Sequence, residues 1–247
     1  MKPWLCIPPE WAHNMSPYFL DAFSQFFSEG TPAWNPLNWN GVVFKNRLGL
    51  AGGVDKDGVS LKAWQRLGCG FIEVGTVTPE PQKANPGKII DRSPADNALW
   101  NKMGFPSHGA EDVFFNVSSF KHDSSLPLLI NIGKNRNTPN ERAHLDYMQL
   151  IHRFQPVADA FVVNISSPNT KGLRDLAQPE SLKQFLSPLK TAQNEFETRK
   201  PLLIKLSPDL ETDDFKRIVD TCLEFHIDGF VLTNTTLERK TQKSFPL

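Results

Sequence analysis

The sequence has no excess of either charge, since 27 lysines and arginines balance 27 aspartates and glutamates over 247 residues. A nucleic-acid partner normally requires a basic face, so this balance argues against one. No apolar run approaches the roughly 20 residues that cross a bilayer, and Pro3, Pro8 and Pro9 interrupt any signal-peptide core at the N-terminus. We therefore expect a globular protein with no targeting sequence and no membrane-spanning segment.

Cysteines are scarce and widely separated, with Cys6, Cys69 and Cys222 as the three in the chain. The sequence contains no Cys-x-x-Cys pair and no Cys/His spacing typical of a metal site. An odd number of cysteines is also a poor basis for disulfides. The prediction is no metal site and three reduced, structural thiols, as in a cytosolic protein.

Residues 1–30 are predicted to form a helical extension. A short helix is expected over 9–14, and a second begins with Ser16 as N-cap and Pro17 in its first turn and ends at Gly30. Helical spacing places six residues on one apolar face: Tyr18, Phe19, Ala22, Phe23, Phe26 and Phe27. This face either packs on the main domain or stays partly exposed and contacts membrane lipid or an apolar ligand.

Residues 31–247 alternate between short apolar runs and amphipathic stretches, after a linker at 32–36. The predicted strands cover 48–51, 70–75, 128–132, 161–165, 202–206 and 229–232, and the predicted helices 58–67, 109–120, 140–155, 179–198 and 211–226. Apolar strands that alternate with helices indicate a parallel sheet covered by helices. The segment GKIIDRSPADNALWNKMGF interrupts the alternation and is predicted to be a hairpin.

Polar residues follow every predicted strand, in the segments GGVDKDG, GTVTPEPQ, NIGKN, NISSPNTKG, KLSPD and TNTT. In (β/α) barrels the active site lies at the carboxyl ends of the strands, and each strand contributes to it. A doubly wound sheet would concentrate such residues at one switch point. The predicted fold class is therefore α/β, a (β/α)8 TIM-type barrel, with about six of the eight units in this chain.

Six units would leave an open sheet with two unpaired edges, and unpaired edges are costly. We expect either that the last quarter of the barrel is missing from this sequence or that another polypeptide supplies it.

Two lysines stand at strand ends. Lys205 lies within the apolar run PLLIKLSPDL and is predicted to point into a site, where an anionic cofactor or substrate would pair with it. A Schiff-base role is the other possibility for this amine. Lys56 lies between Asp55 and Asp57, so it either reaches the same site or belongs to a solvated run of charges.

Asparagines recur at strand ends and loops: Asn101, Asn131, Asn164, Asn169 and Asn234. Their amides donate and accept hydrogen bonds and would suit a planar ligand that carries amides and a carboxylate. Turn formation is the alternative for each one taken singly. No His or Cys follows a predicted strand, so acid–base chemistry would fall to serine, threonine or lysine, and Gly52-Gly53 permits close approach of a flat ligand.

Seven motifs in this order, LAGGVDKDG, EVGTVTPEPQ, NKMGF, INIGKN, VNISSPNTKGLR, IKLSPDL and TNTT, resemble the dihydroorotate dehydrogenase family. The resemblance spans roughly residues 40–236 and is specific to the class 2, quinone-linked branch, because a serine stands at position 167, where class 1 enzymes carry cysteine. It implies a barrel that uses FMN to oxidise dihydroorotate to orotate in pyrimidine synthesis.

The resemblance also implies residue roles. Ser167 would take the C5 proton of dihydroorotate while a hydride passes from C6 to flavin N5, with Thr170 and Phe105 flanking the route by which the proton leaves. The implied cofactor-binding residues are Ala51, Gly52, Gly53, Lys56, Thr76, Asn131, Asn164, Lys205 and Thr233. The implied substrate-binding residues are Lys56, Asn101, Lys102, Met103, Gly104, Phe105, Asn164, Asn169, Asn234 and Thr235. The two lysines would stabilise the negative charge of the reduced flavin.

Class 2 members pass electrons to a membrane quinone through a tunnel between N-terminal helices. The resemblance therefore implies a quinone partner, contact of the N-terminal helices with the membrane surface, and a peripheral location on the cytoplasmic side of the inner membrane. His13 matches a histidine of that region in relatives, with an ordinary surface histidine as the alternative. Glycine-rich loops for the flavin phosphate would follow Leu247, and Pro106 replaces the asparagine usual after NKMGF.

Two other functions remain open from the residues alone. The chain could be a non-catalytic fragment that binds a partner or a membrane, or a barrel aldolase that uses Lys205 as its Schiff-base lysine.

Overall fold

Ten strands are present in the computed structural model, which describes residues 6–27, 30–170 and 172–238. They are β1 (Leu37–Trp39), β2 (Val42–Phe44), β3 (Gly49–Leu50), β4 (Phe71–Val77), β5 (Ile90–Ser93), β6 (Ala98–Asn101), β7 (Leu128–Ile132), β8 (Ala160–Asn164), β9 (Leu202–Leu206) and β10 (Gly229–Leu232). Six of them form one parallel sheet in the order β3-β4-β7-β8-β9-β10. Strands that follow one another in the alternation are thus neighbours across the whole sheet.

The helices are α1 (Pro9–Ser24), α2 (Leu61–Arg66), α3 (Ala110–Asp123), α4 (Ala143–Phe154), α5 (Pro179–Asn194) and α6 (Thr212–Glu224), with short 3-10 turns at Asn140–Arg142 and Leu173–Ala177. The last five each connect two successive strands of the sheet. The predicted alternation is therefore confirmed. The strand order has no switch point, in agreement with a barrel and not with a doubly wound sheet.

The two faces of the sheet differ in what covers them. The outer face packs against the helices through fully buried side chains such as Ile72, Ile130 and Val163. Because side chains alternate along a strand, the residues between them point to the inner face. There Leu129 and Val162 belong to an apolar cluster with Phe44 of β2. The β1–β2 hairpin thus covers the inner face near the amino ends of the strands, which we call its lower half.

The sequence analysis missed the β1–β2 hairpin, although the signal was present. Asn40-Gly41 separates two apolar runs, and both residues have positive φ angles, 48° and 79°. Asn-Gly in this position is a strong signal for a two-residue hairpin turn. The β5–β6 hairpin, in contrast, confirms the prediction made for the interrupting segment.

The N-terminal extension is one helix rather than the two predicted, and it ends at Ser24, before Gly30. Pro17 lies inside α1, where its missing N–H leaves the carbonyl of His13 without the usual helical donor. The hydroxyl of Ser16 donates a hydrogen bond to that carbonyl at 2.8 Å. Ser16 therefore compensates for the proline instead of capping a new helix.

The aromatic side chains of α1 and of the turn that follows it are largely exposed: Tyr18 at 78%, Phe19 at 62% and Phe23 at 54% on the helix, and Phe26 at 86% in the turn. The alternative in which this face packs on the main domain is wrong for these residues. Among the described helices, none combines the length and apolar character that crossing a membrane requires.

The three cysteines are free, as predicted. Cys69 and Cys222 are buried and Cys6 is exposed. Burial raises the pKa of the Cys222 thiol to about 12, which is the environment of a structural and unreactive thiol.

Asp228 joins the start of β9 to the start of β10. Its Oδ2 accepts hydrogen bonds from the backbone N–H of Leu202 at 2.8 Å and from Arg199 Nη1 at 2.9 Å. Burial alone would raise the pKa of this carboxyl, but the hydrogen bonds from Arg199 and Leu202 outweigh it and hold the pKa below its usual value.

We predict that Asp228→Asn lowers the free energy of unfolding by about 1–3 kcal/mol at pH 7, because a charge-assisted pairing with Arg199 is lost. A carboxyl with a lowered folded-state pKa stabilises fully above its unfolded pKa of about 4 and stops doing so as the pH falls through the folded value. The difference from wild type should therefore narrow only below about pH 4. Urea unfolding across this pH range measures it.

Asp220→Asn is the matched control, because Asp220 pairs with Lys216 on the exposed side of α6. Its loss should be close to zero. Equal losses in the two variants would contradict a special role for Asp228.

Candidate functional site

Four polar side chains from four neighbouring strands meet on the inner face, above the apolar cluster. They are Thr76 on β4, Asn131 on β7, Asn164 on β8 and Lys205 on β9, and all four are buried. Thr76 Oγ1 donates to Asn131 Oδ1 at 2.7 Å and accepts from Asn164 Nδ2 at 2.9 Å. Each was predicted to bind the cofactor, and the fold brings them into one network.

Lys205 points to the inner face, as predicted, but its anionic partner is part of the protein. Lys205 Nζ lies 3.1 Å from Glu73 Oε1, and Asn131 Nδ2 donates to the same oxygen. Both members of the ion pair are buried. The sequence analysis missed Glu73, although a charged residue within the apolar run FIEVGTV is the same signal that identified Lys205.

The loop after β3 lies against this network. At Gly52 a Cβ atom would lie 2.4 Å from Glu73 Oε1, so a residue with a side chain does not fit there without movement. Gly53 has a φ of 101° and donates its N–H to the carbonyl of Gly75 at 2.7 Å. The two glycines therefore allow the backbone of this loop to lie close to Glu73 and to the carbonyl of Gly75. Their neighbour Ala51 is exposed.

Lys56 connects this loop to the N-terminal helix. Its Nζ donates to the carbonyl of Gly53 at 2.8 Å. Burial lowers the pKa of Lys56, against the opposing charges of Asp57 and Asp55. His13 of α1 is half-buried, and burial together with the nearby charge of Lys56 lowers its pKa. Lys56 and His13 are therefore both partly withdrawn from water.

The loop after β8 carries Ser167, which is only 4% exposed. Ser167 Oγ accepts a hydrogen bond from the backbone N–H of Asn169 at 3.2 Å. Its neighbour Ser166 donates to Asn164 Oδ1 at 3.1 Å and accepts from Asn234 Nδ2 at 3.0 Å. This serine, which the sequence analysis did not single out, joins the loops after β8 and β10 to the network.

A cavity of about 200 Å³ opens beside the Ser167 loop. Four of its lining residues were predicted to bind substrate: Asn101, Lys102, Asn169 and Thr235. Trp100 also lines it, and Asn169 Nδ2 lies 3.5 Å from Asn101 Oδ1 across the gap between their loops. The β5–β6 hairpin and the loops after β8 and β10 therefore form one mouth.

A hydrogen bond to its backbone holds the segment 103–105 in place. Asn85, another residue missed from the sequence, donates its N–H to the Met103 carbonyl at 2.9 Å and its side-chain Nδ2 to the Asn169 carbonyl at 3.1 Å. A Cβ at Gly104 would collide with the Asn85 side chain at 2.5 Å. Phe105 is buried with a φ of 56°.

Two threonines of the predicted site differ in environment. Thr170 Oγ1 is buried and has no hydrogen-bond partner within the described part of the chain. Such an atom is costly unless a ligand or water satisfies it. Thr233 is exposed, and its hydroxyl donates only to the adjacent Asn234 carbonyl. The structure therefore leaves Thr233 and Ala51 outside the buried network.

Asp209 links the segment after β8 to the segment after β10 at the rim of the mouth. It pairs with Arg174 Nη2 at 3.1 Å and accepts the backbone N–H of Leu237 at 3.1 Å, while Arg174 Nε donates to the Ser166 carbonyl. Burial alone would raise the pKa of Asp209, but hydrogen bonds from Thr236 and Leu237 and the Arg174 charge hold it below its usual value.

Comparison with known proteins identifies the family of this chain. The model of the dihydroorotate dehydrogenase family matches residues 37–246. The chain belongs to the dihydroorotate dehydrogenase family. Among its relatives, a dihydroorotate dehydrogenase (quinone) of Dichelobacter nodosus is 42% identical over 95% of this chain and 70% of that protein. One from a Synechococcus strain is 42% identical over 91% of this chain and 58% of that protein.

Solved structures of the family share the fold. The ligand-free dihydroorotate dehydrogenase of Eimeria tenella superposes with a TM-score of 0.86 at 33% identity, over 95% of this chain and 71% of that one. Its complex with ferulenol gives a TM-score of 0.85, over 94% of this chain and 68% of that one. The predicted barrel class is confirmed, and the chain spans part of the length of its relatives.

We predict that Thr76→Val destabilises the protein by about 1–3 kcal/mol, because the hydroxyl that links Asn131 and Asn164 is removed and leaves buried amide groups without partners. Urea unfolding measures the loss. Thr76→Ser keeps the hydroxyl and is the matched control, which should lose clearly less. Equal losses would show that the methyl group, not the network, is what matters at this position.

Proposed function

We propose that this protein oxidises dihydroorotate to orotate with FMN as hydride acceptor and a membrane quinone as final electron acceptor, in pyrimidine biosynthesis. The observation that carries the proposal is a chain of contacts from the buried network to the cavity. Ser166 bonds both Asn164 and Asn234, Ser167 follows it in the same loop, and Asn169 of that loop lines the cavity with Asn101. Quinone-type names of the relatives support the same assignment.

Ser167 is the proposed base. Its hydroxyl is buried and accepts the backbone N–H of Asn169, which lines the cavity. In this proposal it meets the C5 proton of dihydroorotate held by Asn101, Asn169, Asn234 and Thr235. A serine is a weak base at neutral pH, so its own proton must move to another group. Thr170, with an unsatisfied buried hydroxyl in the same loop, is the proposed next acceptor.

The residues present fit FMN. Amides of Asn131 and Asn164 and the ammonium of Lys205 supply donors and acceptors for a flat heteroaromatic ring, and Gly52 presents backbone where no side chain fits. When bound, FMN supplies the hydride acceptor. The cationic Lys56 and Lys205 stabilise the negative charge that reduction adds. Met103, Gly104 and Phe105 shape the substrate side through their fixed backbone.

The exposed aromatic face of α1 is proposed to rest on the cytoplasmic surface of the inner membrane and to admit the quinone. Tyr18, Phe19, Phe23 and Phe26 expose a large apolar area. His13 on the same helix is close enough to Lys56 to feel its charge. The helix thus links an apolar surface to the flavin side of the site.

The aldolase alternative is not favoured. A Schiff base requires a neutral amine that is free to attack a carbonyl. Lys205 instead forms a buried ion pair with Glu73. The non-catalytic fragment is not favoured either, because the relatives that this chain matches over most of its length are named dihydroorotate dehydrogenase (quinone).

We predict that Ser167→Ala slows reduction of bound flavin by dihydroorotate about 10²–10⁴-fold, the range that a general base contributes, while flavin content stays unchanged. Single-turnover bleaching of the flavin absorbance measures it. Ser119→Ala is the control, since Ser119 lies exposed on α3 and bonds only within its helix. Unchanged reduction in Ser167→Ala would refute the assigned base.

We also predict that replacing Phe19, Phe23 and Phe26 together by Gln weakens association with lipid vesicles by about three to six orders of magnitude, since burying each phenylalanine contributes roughly 1.5–3 kcal/mol and each 1.4 kcal/mol is about tenfold. Quinone reduction should fall with it, while flavin reduction by dihydroorotate should not. Phe115→Gln is the control, because Phe115 is 72% exposed on α3. Equal losses in both half-reactions would contradict the proposal for α1.

A further inference from the structure

We infer that Glu73 is a positioning residue for the site, which holds Lys205 and Asn131 in place and sets the charge of the layer on which the flavin lies. The inference rests on the proposed function and deepens it. Glu73 has no part in the roles implied by the sequence motifs. Its carboxylate nevertheless contacts two of the implied cofactor-binding residues, Lys205 and Asn131, and lies against a third, Gly52.

The contacts of Glu73 all converge on one oxygen. Oε1 accepts from Lys205 Nζ at 3.1 Å and from Asn131 Nδ2, and it lies where a Cβ at Gly52 would be 2.4 Å away. Glu73 therefore touches residues of three different strands or loops that each reach the flavin side. Its side chain is itself buried, so the contacts are not shared with bulk water.

Lys205 can serve Glu73 and a ligand together. An ammonium has three N–H donors. Among the described residues, Glu73 is the hydrogen-bond acceptor that Lys205 Nζ contacts. Two donors of the ammonium therefore remain for a ligand on the inner face of the sheet.

The Glu73 carboxylate also balances the positive charge of Lys205. A buried ammonium without an anion is costly, so Glu73 permits Lys205 to stay in this layer as a cation. The same negative charge opposes the extra negative charge of a reduced flavin, because charges interact strongly where water is excluded. Glu73 therefore makes the bound flavin a weaker oxidant than Lys205 alone would make it, and keeps it able to pass electrons onward to a quinone.

The first test is the midpoint potential of FMN bound to the full chain, measured by spectroelectrochemistry. Glu73→Gln keeps the shape and the acceptor oxygen but removes the charge, so the potential should shift to a more positive value with flavin content retained. Glu80→Gln is the matched control, since Glu80 lies on the exposed loop after the same strand, and it should show no shift. An unshifted potential in Glu73→Gln overturns the inference.

The second test does not depend on flavin. Urea unfolding of the flavin-free chain is compared for Glu73→Gln, Lys205→Gln and the double variant. If Glu73 positions Lys205, the double variant is destabilised less than the sum of the two single variants. Additive losses overturn the positioning role. If Glu73→Gln loses flavin, the urea comparison on the flavin-free chain decides the positioning role by itself.

The two proposals fail in different ways. A wild-type chain whose bound flavin is not reduced by dihydroorotate overturns the proposed function. A wild-type chain that is reduced, together with an unshifted potential in Glu73→Gln, overturns the role of Glu73 alone.

Discussion

The buried ion pair between Glu73 and Lys205 depends on a geometric constraint, the alternation of side chains along parallel strands. Every second residue faces inward, so Leu203 and Lys205 lie on the same face of one strand and Leu129 and Asn131 on the same face of another. The lower positions are apolar and closed by a hairpin, and the upper ones are polar. A one-residue change of register would bury these charges among the helices instead.

This arrangement explains why the polar layer can be both buried and satisfied. A charge or amide on the helix-facing side of the sheet would have no partner, but on the inner face the strands bring complementary groups within hydrogen-bond distance. A fully connected network of this kind is rigid, because each member is oriented by another. The loops that carry Ser167 and Asn234 attach to this network through Ser166, which anchors both loops to the sheet.

The N-terminal helix, in contrast, exposes its apolar side chains. Its aromatic residues are left in contact with water by the described part of the chain, and Ser24 is its one buried described residue. A helix of this kind gains little from packing on its own domain, and it leaves a contiguous apolar patch exposed. Its link to the site is electrostatic and local, through His13 and Lys56.

The sequence by itself determined the alternation of strands and helices in the parallel sheet, the strand-end position of Asn131, Asn164 and Lys205, and the family, because periodicity and local motifs are properties of neighbouring residues. Only the tertiary structure decided that Glu73 pairs with Lys205, since the two are 132 positions apart and their contact exists only once β4 and β9 share an inner face. The continuity of α1 through Pro17 is a local matter that the sequence analysis misjudged: the Ser16 hydroxyl donates to the His13 carbonyl, which Pro17 leaves without its helical donor.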